Sequence, residues 1–206
     1  MRKRIVIVGA GGFGREVFQL IDKQKYEPVG FVDHRSDDNN LPSPIIGDDS
    51  IISQLKDRYK VSHVCIALGN MERRRIVTEN ALEAGLLLPP VIHPGSVILS
   101  QDLIEGGVII YPNVVVMNEC TIGRGVLLNS GVTLGHDVKI GEFSSISPGV
   151  HVAGRIEIGK EVLIGIGSSI KENVKIGNRA IVGAGSVVLN DVPDDTTVCG
   201  IPAKAI

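Results

Sequence analysis

A period of six dominates this chain and constrains its fold more than any other feature. From Ile92 onward every sixth residue is Ile, Val or Leu, at positions 92, 98, 104, 110, 116, 122, 128, 134, 140, 146, 152, 158, 164, 170, 176, 182 and 188, which is 17 of 17. If roughly three residues in ten are aliphatic, such a run arises by chance with a probability on the order of one in a billion. Four positions after most of these comes a second small or aliphatic residue, among them Val114, Cys120, Val126, Val132, Val138, Ser144, Val150, Ser168, Ala180 and Ser186. Gly follows the aliphatic residue at 123, 135, 141, 159, 165, 177 and 183. An α-helix, turning every 3.6 residues, cannot satisfy this pattern. A triangular parallel β-helix can. Two inward residues per hexad fill the interior, each hexad ends in a corner, and coils of three hexads stack about 4.8 Å apart. Residues one coil apart then become spatial neighbours, with no extruded loop between 92 and 188. Asp102 is the conspicuous polar residue at an inward position and predicts an irregular first coil, while the terminal "PDDTTVCGIPAKAI" leaves the rhythm.

Composition agrees with an interior built from small aliphatic side chains: aromatic residues are 3% of the chain, Trp is absent and Gly numbers 25. A net charge of -2 with no block of Lys or Arg gives no electrostatic footprint for nucleic acid or an anionic membrane. Cys65, Cys120 and Cys199 form neither an even set nor a C-x-x-C pair, so reduced thiols and no disulfide are expected. In "MRKRIVIVGAGG" the apolar run after the basic residues breaks at Gly9, too short for a signal peptide or a membrane span. A cytoplasmic protein is the expectation.

The first 90 residues read differently. "RIVIVGA" (4–10), "PVGFVD" (28–33), "HVCIALG" (63–69) and "LLLP" (86–89) are predicted strands, with helices over 13–23, 49–58 and 71–84. This is a small Rossmann-like α/β unit with a parallel sheet, and the Pro-rich "LPPVIHPG" (88–95) sets the boundary between domains 1–90 and 91–206. Within it "GAGGFG" satisfies G-x-G-x-x-G through Gly9, Gly11 and Gly14, between strand and helix, with Asp33 ending the next strand. The unit is about half a dinucleotide-binding sheet, so a mononucleotide is expected, its phosphates near the helix N-terminus and Asp33 on ribose or base.

In the repeat region the lattice places His136 at an outward corner, stacked between Asn118 and Gly154. A solvent-facing His is ordinarily a turn residue. Here Asp137 follows directly and is able to orient the ring and raise its basicity, and Gly154 leaves room for a ligand and a backbone N–H beside the imidazole. His151 also points outward, beside Thr133 and Ser169. A zinc site needs converging imidazoles, yet the 15-residue separation of His136 and His151 misses the coil period, so no metal is expected. Cys120 falls inward and reads as a small buried hydrophobe.

The stretches "IVGAGGFGREV" (6–17), "FVD" (31–33), "IALGN" (66–70), "GHDVKIGEFSSISPGVHVAG" (135–154) and "GIPAK" (200–204) together resemble one family over essentially the whole chain. It is the group of hexapeptide-repeat acyltransferases that holds sialic acid O-acetyltransferases, bacillosamine N-acetyltransferases and perosamine N-acetyltransferases. The resemblance implies a homotrimer of left-handed β-helices with acetyl-CoA between neighbouring subunits, and a nucleotide sugar on the N-terminal domain, serving surface glycan synthesis. It makes His136 the general base, assisted by Asp137. It puts Gly154, Ile166, Ala184 and Ser145 along acetyl-CoA, and Gly11, Gly12, Phe13, Asp33, His34 and Gly69 around the nucleotide sugar. Phe13 stands where the bacillosamine enzymes carry His, His34 where they carry a second Asp, and Ser145 where some members carry a His at the thioester. N-acetylation of a nucleotide-linked amino sugar is the leading reading. O-acetylation of sialic acid or another sugar, and a trimer that binds coenzyme or nucleotide without catalysis, are the alternatives.

Overall fold

A computed structural model describes residues 1–35, 40–99 and 103–206. The chain divides into two compact units, Met1–Val91 and Ile92–Ile206.

In the first unit β1 (Lys3–Val8), α1 (Gly12–Leu20) and β2 (Tyr26–Val32) form a parallel crossover. They are followed by β3 (Ile45–Gly47), a 3₁₀ turn (Asp49–Gln54), α2 (Leu55–Tyr59), β4 (His63–Ile66) and α3 (Met71–Glu83). The parallel sheet runs in the order β3-β2-β1-β4, so the strand order reverses direction between β1 and β4, where open α/β sheets bind ligands at their carboxyl ends. Ile5, Val6, Ile7 and Val8 are buried without exception, as a strand covered on both faces requires.

Local chemistry moves several element boundaries. Helix α1 stops at Leu20 rather than 23 because Ile21 turns extended and Asp22 Oδ1 captures the Gln24 N–H at 2.9 Å. The expected strand 86–89 is a single bridge, Leu87 to His63, since Pro89 and Pro90 have no N–H to donate. Strand β3 has no periodic signature; it is three residues at the sheet edge, admitted where Pro44 O accepts the Phe31 N–H. The segment 49–58 opens as 3₁₀ and becomes helical only at Leu55.

The second unit is a left-handed parallel β-helix. Through Val188 its strands are two residues long and pair at a separation of 18, as in Thr133 with His151 and His151 with Ser169; the strands Thr197–Gly200 and Ala203–Ala205 then close the chain as an antiparallel pair. Three sheets form its faces. The first runs through Ile109–Ile110, Leu127–Leu128, Ser145–Ile146, Leu163–Ile164 and Ile181–Val182, the second through Val115–Val116, Thr133–Leu134, His151–Val152, Ser169–Ile170 and Val187–Val188. The third runs through Thr121–Ile122, Lys139–Ile140, Glu157–Ile158 and Lys175–Ile176. Every lattice residue from Ile110 to Val188 is buried, each contributing about 1.5–3 kcal/mol of transfer free energy. Ile92, Ile98 and Ile104, at the start of the stack, are only partly buried. Asp102, the residue that predicts an irregular first coil, lies outside the described residues. After Val188 the last coil shortens, pairing Ile176 with Val192 and Ile181 with Thr197.

Small polar side chains on the inward lattice satisfy corner carbonyls. Ser144 Oγ donates to Gly159 O at 2.8 Å, Ser168 Oγ to Gly183 O at 2.9 Å, and Cys120 Sγ to Gly135 O at 3.0 Å. Burial pushes the thiol of Cys120 up, and that of Cys65 up to about 12, so neither is a nucleophile at neutral pH. All three cysteines are free. Among the described residues no helix is long and apolar enough to cross a membrane, and no three His, Cys, Asp or Glu side chains cluster as metal ligands would.

Candidate active site

The edge joining the second and third faces holds the candidate catalytic pair of the repeat region. The corner of each coil there is a short turn, and His136 and Asp137 occupy one of them, with Asp137 left-handed at φ 59°. The coil lattice fixes both neighbours: the Asp137 N–H donates to Asn118 O at 3.0 Å, and the Arg155 N–H to His136 O at 2.8 Å. His136 Nδ1 and Asp137 Oδ2 lie 2.6 Å apart. An ionised carboxylate only accepts, so this pairing selects the tautomer of the neutral imidazole with the proton on Nδ1 and the lone pair on Nε2. That nitrogen points over Gly154, where a Cβ would stand 2.8 Å from it. The glycine is therefore a clearance, and its conformation is one that any residue adopts, so the ring and not the backbone demands Gly here.

The remaining repeat-region positions lie elsewhere on the lattice. Ile166 and Ala184 belong to the edge joining the first and second faces, Ile166 with its side chain exposed. At this edge the corner glycines Gly131, Gly149, Gly167 and Gly185 are all left-handed, and nothing lies within 4 Å of a Cβ built on the last three. Ser145 sits on the first face between Leu127 and Leu163 and is buried. Within one chain none of these three shares a corner with His136. On the second face His151 Nδ1 meets Thr133 Oγ1 at 2.8 Å.

In the first unit the carboxyl ends of β1, β2 and β4 bring three loops together. Gly9, at φ 104°, presses on the β4 loop, where its Cβ would stand 2.5 Å from Ala67 O, and Gly14 packs α1 against Gly9 O so closely that a Cβ would stand 1.8 Å away. Gly12 and Gly69 instead border open space, with nothing within 4 Å of a Cβ on either. Asp33 follows β2 and its Oδ2 accepts the Ala10 N–H at 2.7 Å. The Arg35 guanidinium, with the Ala10 N–H behind it, holds the Asp33 carboxyl far below the usual carboxylate range, against the opposing effect of burial. His34 Nε2 lies 3.2 Å from Asp49 Oδ2, which also receives Arg73 at 3.0 Å. Phe13 is half-buried in the first turn of α1.

Three further residues of this region are given no role by the sequence. Asn70 caps α3, its Oδ1 accepting the Arg73 N–H at 2.8 Å. Arg74, fully buried, donates to Leu68 O at 2.8 Å and shapes the loop before α3; burial lowers its pKa to about 10. Arg35 is two residues beyond Asp33. Of the three only the asparagine carries a sequence signal, as a polar residue before a helix.

Comparison with known proteins gives concordant matches. The PglD N-terminal domain model matches residues 4–81, and the bacterial transferase hexapeptide (six repeats) model matches 119–154 and 155–190. Among curated protein sequences no match is found. Among solved structures, the acetyltransferase domain of PglB from Neisseria gonorrhoeae, in complex with acetyl coenzyme A, is 33% identical over 100% of both chains with a TM-score of 0.93. PerB from Caulobacter crescentus, in complex with CoA and GDP-perosamine, is 28% identical over 98% of this chain and 96% of that one, with a TM-score of 0.90. WeeI from Acinetobacter baumannii is 28% identical over 99% and 100%, with a TM-score of 0.84. With full-length identity of this order joined to both domain matches and the same two-part fold, the chain belongs to the hexapeptide-repeat sugar acetyltransferases, as an acyltransferase with a PglD-type N-terminal domain.

Proposed function

We propose that this protein transfers an acetyl group from acetyl-CoA to the amine of a nucleotide-activated amino sugar, with His136 as general base. The observation that carries the reading is the pairing of His136 Nδ1 with Asp137 Oδ2 at 2.6 Å, which leaves Nε2 as the proton acceptor above Gly154. Nε2 removes the proton as the sugar nitrogen attacks the thioester carbonyl; the C–N bond forms, the C–S bond breaks, and the coenzyme leaves as a thiolate that takes up a proton. Asp137 stabilises the imidazolium formed in between. The Gly154 N–H is the donor for the oxyanion, and no acyl-enzyme is required. Positioned proton transfer of this kind gives about a hundred- to ten-thousand-fold in rate.

Ile166, Ala184 and Ser145 line the coenzyme in this reading, and Gly11, Gly12, Phe13, Asp33, His34 and Gly69 the nucleotide sugar. Because the His136 corner and the Ile166 and Ala184 corner lie on opposite edges of the second face, one coenzyme meets both sets when edges of neighbouring copies adjoin, as in a homotrimer. Support comes from the outward strand positions of that face, Val97, Val115, Thr133, His151, Ser169 and Val187, which include no Lys, Arg, Asp or Glu, whereas the third face presents Lys139, Glu157 and Lys175. PglB and PerB, which bind acetyl coenzyme A or CoA, and in PerB a nucleotide amino sugar, support the substrate class. A cytoplasmic location, where nucleotide sugars and acetyl-CoA are both available, completes the reading.

Thiol release from acetyl-CoA is to be measured against UDP-, GDP- and dTDP-linked 4-amino sugars, CMP-sialic acid and sialic acid. Turnover on a nucleotide-linked amino sugar is expected. Turnover on sialic acid alone replaces the proposal with O-acetylation, and a ligand-dependent melting shift without turnover replaces it with a binding module.

A further inference from the structure

The Asp33 carboxylate has no acceptor site left for a ligand. Its Oδ1 accepts the Arg35 backbone N–H at 3.0 Å and Arg35 Nε at 3.1 Å, while Oδ2 accepts an Arg35 terminal nitrogen at 3.0 Å and the Ala10 N–H at 2.7 Å. Four donors on two oxygens use all of the roughly four lone-pair positions a carboxylate offers. A nucleoside hydroxyl or base N–H that is to reach Asp33 must displace one of the four. Two are backbone groups fixed by the glycine loop and by the end of β2. The other two belong to one guanidinium, whose side chain is 61% exposed. That same guanidinium lies over the glycine loop, with a nitrogen 3.2 Å from where a Cβ on Gly11 would stand. Gly11 is the residue before α1, and the first turn of that helix has neither a side-chain cap nor an acidic residue.

We propose that Arg35 is an exchangeable partner of Asp33: a bound nucleotide takes over the carboxylate through its nucleoside, and the released guanidinium, already above Gly11, pairs with the diphosphate. This rests on the nucleotide-sugar reading above and adds a binding residue to it. The exchange balances charge. Asp33 passes from an ion pair to neutral donors while the Arg35 fork passes from the Asp33 carboxylate to a more highly charged anion, for which its planar geometry is suited. It also makes recognition conditional, because a nucleoside without phosphates must displace the guanidinium and gives it nothing in return.

Arg35→Ala separates the two halves of this idea because it removes both the competitor for Asp33 and the phosphate partner. Calorimetric titration of the full-length wild type and variant with uridine, UDP, guanosine and GDP is expected to show opposite effects: diphosphate affinity lower by at least tenfold, nucleoside affinity higher by threefold or more. In turnover, KM for the nucleotide sugar rises while kcat holds. Arg35→Lys, which keeps charge but loses the fork, falls between wild type and Arg35→Ala for the diphosphate. Equal losses for nucleoside and diphosphate, or no change in either, overturn the exchange while leaving the nucleotide reading intact. A wild type that binds neither diphosphate overturns both.

Discussion

The imidazole of His136 has its two nitrogens committed differently, one to Asp137 and one to the clearance above Gly154, and this asymmetry sets what single substitutions do. His136→Ala removes the proposed base and is expected to lower kcat by at least about a hundredfold, with the oligomer measured by light scattering unchanged. Gly154→Ala is a finer probe. Its backbone tolerates alanine, but the new methyl at 2.8 Å forces the ring aside, and a displacement approaching 1 Å costs up to about a hundredfold. A kcat at least about tenfold lower, with a melting temperature within a few degrees of wild type, is the expected result. Both residues are legible in the sequence, since the 18-residue lattice alone stacks 154 over 136. Arg35 is not: nothing in a sequence distinguishes an arginine that pairs with the carboxylate two residues back from one that points to solvent.

At the scale of elements the two units differ in how directly pattern dictates structure. In the β-helix each strand meets its partner one coil away, so one repeating register specifies every face, and the inward positions read from period six are the buried ones from Ile110 to Val188. In the first unit, boundaries depend on side chains that capture backbone groups, as Asp22 does at the end of α1, and on the edge pairing that admits β3. Periodicity carries neither kind of information. The glycines of the loop between β1 and α1 are similarly divided. Gly14 is required by packing, since its Cβ would overlap Gly9 O at 1.8 Å, whereas Gly12 is not. Gly14→Ala is expected to cost about 3 kcal/mol or more, seen as faster amide hydrogen exchange in β1 and α1, while Gly12→Ala leaves exchange there near wild type.

For the whole molecule, the proposed coenzyme site needs edges from two copies, so assembly and catalysis should fail together. Val115→Arg puts a charge on the uncharged second face, one strand in from its edge, on a side chain pointing away from the interior. Light scattering is expected to show monomers, circular dichroism an unchanged β signal, and thiol release a loss comparable to that of His136→Ala; a monomer with full turnover would refute a site shared between copies. The lattice has a further consequence. Since every coil touches only the coils before and after it, length is a free variable of this architecture. One additional 18-residue coil inserted after Val188, where the stack has left His136, Gly154, Ile166 and Ala184 behind, would extend the rod by about 4.8 Å and leave the proposed site geometry untouched. Such a chain works as a ruler, in which the distance from the base to the far end is counted in coils and adjusted without redesign of the catalytic edge.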